Sequence, residues 1–316
     1  MKLHLTMLVI SLSGLAAGIA NACSSCGCSL SSDWVTQGIS RTPGISIDLR
    51  YDFIDQTALR HGNNPAESTA IPSGEEVEKR STNRYFTTTL GYTVNKDWGI
   101  SLVIPYLDRS HSTFAEKDTE LSLSHSRSLS DIKLIGRYQG LSENGDTGVL
   151  MGVKLPSGSE DYRFNAGPQA GEPLDRSLQP GSGSTDLILG GFRYGSLSRD
   201  WDWYTQGLVQ APVAIMDHFR PGAVVSVNGG WRYMAAGRWT PQLQINVLAR
   251  RHDSGDNGDA GNSGGRSVYL SPGLSLQVVK RVSANGFVQI PVVQHVSGMQ
   301  IAPRWSATFG ITAGFD

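Results

Sequence analysis

Several familiar signatures are missing from this chain, and each absence removes a class of protein. Among its 316 residues 27 Lys and Arg stand against 28 Asp and Glu, a formal net charge of -1. Without a basic surplus there is no electrostatic footprint of a nucleic-acid binder. Beyond Ala22 no apolar run approaches the ~20 residues that a spanning helix needs, which excludes a helical membrane protein. Segments with helical spacing are nearly absent as well. Cysteine is confined to Cys23, Cys26 and Cys28. Histidine beside serine on a spanning strand, the arrangement of a barrel phospholipase, is also missing. His61, His111, His125, His218, His252 and His295 all fall in or beside the long connections, and Ser124-His125-Ser126 is read as loop. No catalytic residue is therefore expected, and the chain is not read as an enzyme.

What is present is a period of two. In Gly44 to Asp55 the residues Ile45, Ile47, Leu49, Tyr51 and Phe53 share one strand face, while Ser46, Asp48, Arg50 and Asp52 share the other. The pattern returns from Phe86 to Val94, Trp98 to Tyr106, Ile132 to Tyr138, Val149 to Leu155, Val225 to Tyr233, Gln242 to Val247, Val268 to Val278, Val288 to Val292 and Trp305 to Phe315. Thr185–Tyr194 and Trp203–Ala211 are apolar on both sides and give no facing. A mean hydropathy of -0.21 would suit a soluble protein, but half of every spanning strand of a barrel looks into a wet lumen.

The connections alternate in length. Long ones fall near Gln56–Thr82, Arg109–Ser130, Pro156–Ser184, Pro212–Gly222, Arg251–Arg266 and Gln294–Ala302; short ones include Asn95–Asp97 and Gly195–Asp200. Aromatic residues gather at strand ends, among them Tyr51, Tyr92, Trp98, Tyr106, Trp231 and Trp305, as interface girdles do. These features predict an all-β fold: a transmembrane antiparallel β-barrel of about 12 strands over residues 44–316, with long extracellular loops and short periplasmic turns. Asp131-Ile-Lys-Leu-Ile-Gly-Arg-Tyr138 and Asp186-Leu-Ile-Leu-Gly-Gly-Phe-Arg-Tyr194 echo one another, each opening a strand after a long connection.

The apolar run Leu5–Ala20 follows Lys2 and ends in Ala20-Asn21-Ala22. It reads as a secretory signal peptide over residues 1–22, which directs the chain to the outer membrane. Cleavage there makes Cys23 the first residue, open to acylation as a lipoprotein or left as an ordinary terminus. Residues 23–43 then form a periplasmic cysteine-bearing segment.

The C-terminal pattern Tyr269-Leu-Ser-Pro-Gly-Leu274, then Gln289-Ile-Pro-Val-Val-Gln294, then Pro303 to Phe315 resembles a family of bacterial outer-membrane transporters. That family is named after a phenol-degradation pathway and is distantly akin to long-chain fatty-acid channels. The resemblance is good over the last third and looser elsewhere. It implies the barrel and its location, and no functional residue is carried over from it. The chain departs from the usual terminal aromatic of such barrels by ending in Asp316, one residue after Phe315. The cysteine segment lies outside what the resemblance covers.

Two constellations carry candidate chemistry. Asp48, Arg50, Asp52, Lys133, Arg137, Lys154, Arg232, Gln244 and Arg250 fall on polar strand faces and are predicted to face the lumen. Basic members outnumber acidic ones, which suits either an anion-favouring pore or a paired network filling the lumen. Cys23, Cys26 and Cys28 form Cys-x-x-Cys-x-Cys, a set of soft sulfurs fit for Cu(I) or Zn(II) or, in an oxidising periplasm, for a disulfide. The expected function is a channel or transporter for small solutes, with membrane lipid and solute as its partners. The other reading is a non-transporting barrel whose cysteines bind a soft metal or dock a periplasmic redox or metal-carrier protein.

Overall fold

A computed structural model describes residues 43–66, 76–114 and 119–315. The signal segment and Cys23, Cys26 and Cys28 lie outside the described residues. The chain forms β1 (Gly44–Gly62), β2 (Asn64–Pro65), β3 (Val77–Thr93), β4 (Trp98–Phe114), β5 (Leu121–Leu129), β6 (Lys133–Tyr138), β7 (Thr147–Lys154), β8 (Ser184–Ser196), β9 (Trp201–Ile215), β10 (Val224–Tyr233), β11 (Trp239–Arg250), β12 (Gly265–Val279) and β13 (Val282–Phe315). Among the described residues no helix is long and apolar enough to cross a membrane. The only regular helical piece among them is one 3-10 turn, Arg176–Leu178.

Apart from β2 and β5, neighbours in the sequence are antiparallel neighbours in the sheet, and the ring closes where β1 pairs with the end of β13, from Ile45↔Phe315 to His61↔Met299. Closure removes the open edges that a hydrocarbon layer could not solvate. The 34 residues of β13 are two staves rather than one. The chain reverses at Gly298, whose φ of +53° an L side chain rarely adopts. The first arm pairs with β12 and the second with β1. Across the two arms Ser306 Oγ donates to Gln289 Oε1 (2.9 Å) and Gln294 Nε2 donates to the Pro303 carbonyl (2.8 Å). With β13 counted twice the wall reaches the predicted twelve staves. β2 and β5 stand outside the ring, β5 pairing only with the outer half of β4 while β6 pairs with its inner half.

The expected alternation is visible as exposure. Ile45, Leu49, Phe86, Leu90, Tyr92 and Ile311 are exposed on the outer surface, whereas Asp52, Thr87, Gln244, Asn246 and Thr308 are buried. Aromatic pairs ring both ends of this outer face. Trp98 meets Tyr138 (4.6 Å between ring centroids) and Trp201 meets Tyr233 (5.2 Å) at the short-turn end, and Tyr51 meets Phe86 (4.9 Å) higher up.

Three sequence expectations need correction. The long connections Gln56–Thr82 and Arg109–Ser130 are largely strand, since β1 runs on to Gly62, β4 to Phe114, and β5 fills Leu121–Leu129. The connection Gln294–Ala302 is the tight reversal at Gly298. Polarity alone mimics a loop where a barrel wall rises above the hydrocarbon, because neither face there needs apolar side chains. His111 and His125 accordingly sit on strands, not in loops. Finally, the inner face is not polar throughout: Leu150, Phe192, Tyr194 and Tyr204 form a buried cluster on β7, β8 and β9. That inward patch is why two segments looked apolar on both sides.

Candidate functional site

The nine residues predicted to line the lumen spiral round the wall rather than converge. On β1, Asp48 and Asp52 accept from Thr312 Oγ1 (2.7 Å) and Thr308 Oγ1 (2.6 Å) of β13, and Arg50 pairs with Asp52 at 2.8 Å. On β6, Lys133 donates to Gln210 Oε1 (3.1 Å), and Arg137 reaches Thr93 Oγ1 at 3.5 Å. Arg232 lies 3.9 Å from Asp202 and over the Tyr204 ring at 5.4 Å. Gln244 is buried and accepts from Asn246 Nδ2 (3.1 Å), which also donates to Asn228 (2.9 Å). Arg250 pairs with Asp253 at 2.5 Å. Asp253 in turn accepts from the Gly222 backbone N–H (2.7 Å), tying two long connections together.

Lys154 has the densest surroundings. Its ammonium is buried between Asp131 (3.2 Å) and Asp186 (3.0 Å), and it donates to Ser182 Oγ and to Ser184 Oγ (3.0 Å). Both aspartates are the opening residues of the two echoing motifs, so the echo marks two carboxylates that grip one lysine. Asp131 also accepts from the backbone N–H groups of Gly158 (3.1 Å) and Ser182 (3.0 Å). Those residues are the two sides of the connection 155–183, which begins right after Lys154. Its neck closes where Gly158 and Gly181 cross: a Cβ on Gly158 would lie 2.5 Å from the Gly181 Cα. Only glycine permits that approach.

Beyond the neck the connection carries its own small core of Phe164, Leu174 and Leu178, with Tyr162 against it. It turns inward across the mouth. Arg109, buried on the inner face of β4, donates to the Leu178 carbonyl (2.6 Å) and to Asn83 Oδ1 (2.5 Å). On the far side the Arg176 guanidinium lies over the Phe219 ring (5.5 Å). One flank covers the free edge of β5, where Leu123 N–H donates to the Ala166 carbonyl (2.8 Å). Sequence reasoning missed Arg109, Asp131 and Asp186; for the last two the echo was the available signal.

At the same end Glu76 faces Asp175 and Asp259. Burial and then the like charge of Asp175 push its carboxyl up to about 7, with Asp259 adding to the rise while Thr113 and Gln169 oppose it. A carboxyl whose pKa is raised by folding favours the folded arrangement when protonated. That contribution is full below about 4.5 and is lost as pH rises through about 7. Protease nicking of the mouth loops should therefore speed up between pH 6 and 8, roughly, and Glu76→Gln should flatten the profile. A wild-type profile already flat across that window would contradict it.

Ser81 and His111 meet at 2.6 Å on β3 and β4. The pair supports no acyl chemistry: both side chains are buried, and His111 Nε2 has no hydrogen-bond partner among the described residues. A triad needs a carboxylate or amide on that nitrogen and a reachable hydroxyl. No cluster of His, Cys, Asp or Glu fit for a metal ion occurs among the described residues.

No protein-family model matches this sequence, and no curated protein matches it. Solved structures do. The COG4313 outer membrane channel from Pseudomonas putida F1 aligns over 87% of this chain and 97% of its own, with a TM-score of 0.63 at 10% identity. The β domain of the Bordetella autotransporter BrkA aligns over 87% and 100% (TM-score 0.50, 13% identity), and the transport unit of the Escherichia coli autotransporter AIDA-I over 87% and 92% (TM-score 0.50, 11% identity). At these identities the likeness establishes the fold, an outer-membrane-type β-barrel.

Proposed function

We propose that this protein is an outer-membrane channel for small solutes, passive, with the connection 155–183 as its constriction. The observation that supports this best is the inner wall from β10 round to β4. It is built of amides and hydroxyls such as Gln56, Asn83, Asn228, Gln242, Gln289 and Thr308, all buried on the inward face of a closed ring. A polar inner face is what an aqueous route through such a barrel needs. The fold-related protein from Pseudomonas putida is itself an outer membrane channel. The inward charges are largely engaged by opposite charges or hydroxyls, so passage is selected by amides, hydroxyls and the aromatic patch more than by a ladder of cations. Purified protein in planar bilayers should give discrete conductance steps. Bilayers that stay sealed would defeat the proposal.

A second reading rests on the Cys23, Cys26 and Cys28 spacing, which suits Cu(I) or Zn(II) or a periplasmic metal-carrier or redox partner. Cys26→Ser should then abolish metal retention while heat-modifiable gel mobility still reports an assembled barrel, because the first strand starts at Gly44. Native protein that carries no metal by elemental analysis would rule this out.

A further inference from the structure

The outer surface is not uniformly apolar. Above the Tyr51–Phe86–Tyr106 row, the register of β1, β3, β4 and β5 brings together a row of Phe53, Arg84, Asp108 and Arg127, with Asp55, Thr82, Ser110 and His125 above it. Asp108 receives Arg127 (3.0 Å), His125 (3.0 Å) and Arg84 (3.6 Å). Asp55 holds Arg80 through two contacts of 2.8 and 3.1 Å. The carboxylates are sunk, 15% and 19% exposed, whereas Arg127 and Arg80 are 61% and 58% exposed. Two guanidiniums and an imidazole share one carboxylate, so what faces outward is a fixed array of cations with spare N–H donors. The equivalent stretch of β9 is apolar there, with Val209 and Val213 exposed.

The height of this patch says what it meets. Asp108 follows Trp98 by ten residues. At ~3.3 Å per residue and a strand tilt near ~40° it stands about 25 Å above the Trp98 girdle, which is about the height of the apolar band of such barrels. Surface cations at that level lie against lipid headgroups, not hydrocarbon and not bulk water.

We infer that this face of β3, β4 and β5 binds a phosphate of the glycolipid of the outer leaflet, lipid A, with Arg84, Arg127 and Arg80 as its donors. The inference rests on the outer-membrane reading above. Planar guanidiniums held at fixed spacing by buried carboxylates suit phosphate oxygens, which accept paired N–H bonds.

The test is lipid A retained per barrel after mild detergent extraction, read by mass spectrometry, and binding of added lipid A with and without its phosphates. Each guanidinium removed should weaken retention about fivefold, so Arg84→Gln with Arg127→Gln should lose roughly 25-fold. Arg199→Gln, in the exposed turn at the other end, should change nothing. Dephosphorylated lipid A should fail to bind the unaltered protein. If the double variant does not assemble, Arg80→Gln, on a different carboxylate, should still show the fivefold loss. Undiminished retention by an assembled double variant, or equal binding of the dephosphorylated lipid, overturns the inference. A barrel that keeps lipid A but leaves bilayers sealed supports it and removes the channel reading instead.

Discussion

Lys154→Met should open the mouth of the barrel. The substitution keeps the volume of the side chain and removes the one cation that lies between Asp131 and Asp186. Both carboxylates are buried, so they would be left facing one another with only the charge of neighbouring Lys133 to offset them. Breaking a buried pair in this way costs about 3–5 kcal/mol, much of it the penalty of stranding a charge away from water. The neck of the inserted connection would absorb that cost, because Asp131 also holds Gly158 and Ser182. The ring itself would not, since its ladders do not pass through Lys154 Nζ. The expected result is a barrel that still shifts on heating in gels, with a raised and noisier single-channel conductance. Removing one of the two negative charges with Asp186→Asn in the same chain, which leaves both neck contacts of Asp131 in place, should recover part of the closed state. Conductance unchanged by Lys154→Met would mean that the network does not hold the constriction.

The architecture was readable from the sequence because a barrel wall repeats one simple rule. The faces assigned to Asp52, Arg232 and Leu49 required only the period of two and the need to hide apolar side chains from water. The upper wall was less readable. In β5 the serines at 122, 124, 126 and 128 alternate with Leu121, Leu123, His125, Arg127 and Leu129, a clean strand pattern. Polar residues on both faces, His125 and Arg127 on one and the serines on the other, count against a membrane-spanning strand. Above the hydrocarbon that objection loses its physical basis, and the same residues gather round Asp108. The inserted connection was readable as a long connection over Pro156–Ser184 but not in its path. It has neither period, and its decisive contact, Arg109 to Leu178, joins residues 69 positions apart. Local patterning carries no information about such a pairing; only the Asp131/Asp186 echo hinted at it.

Adjacent residues of β3 offer the sharpest check on the wall itself. Leu90 is 41% exposed on the outer face and sits between Ile47 and Leu102 in register. That row lies near the middle of the band between the Trp98 girdle and Asp108, where Leu90→Arg would place a guanidinium in hydrocarbon. The cost expected near a bilayer midplane is about 2–4 kcal/mol. Thr89 points the opposite way and pairs directly with Asp48 on β1. Thr89→Arg would set a cation in a wet interior beside a carboxylate, where a cross-strand pair of opposite charge is mildly favourable, roughly 0.2–1 kcal/mol. Refolding into short-chain phosphatidylcholine bilayers, titrated with urea, should therefore show a strong loss for position 90 and almost none for position 89. In planar bilayers the effects should invert: Thr89→Arg should alter ion selectivity, while whatever Leu90→Arg protein assembles should conduct as the unaltered protein does. A common folding defect in both variants would mean that the two faces of β3 do not meet lipid on one side and water on the other, and the proposed channel would lose its wall.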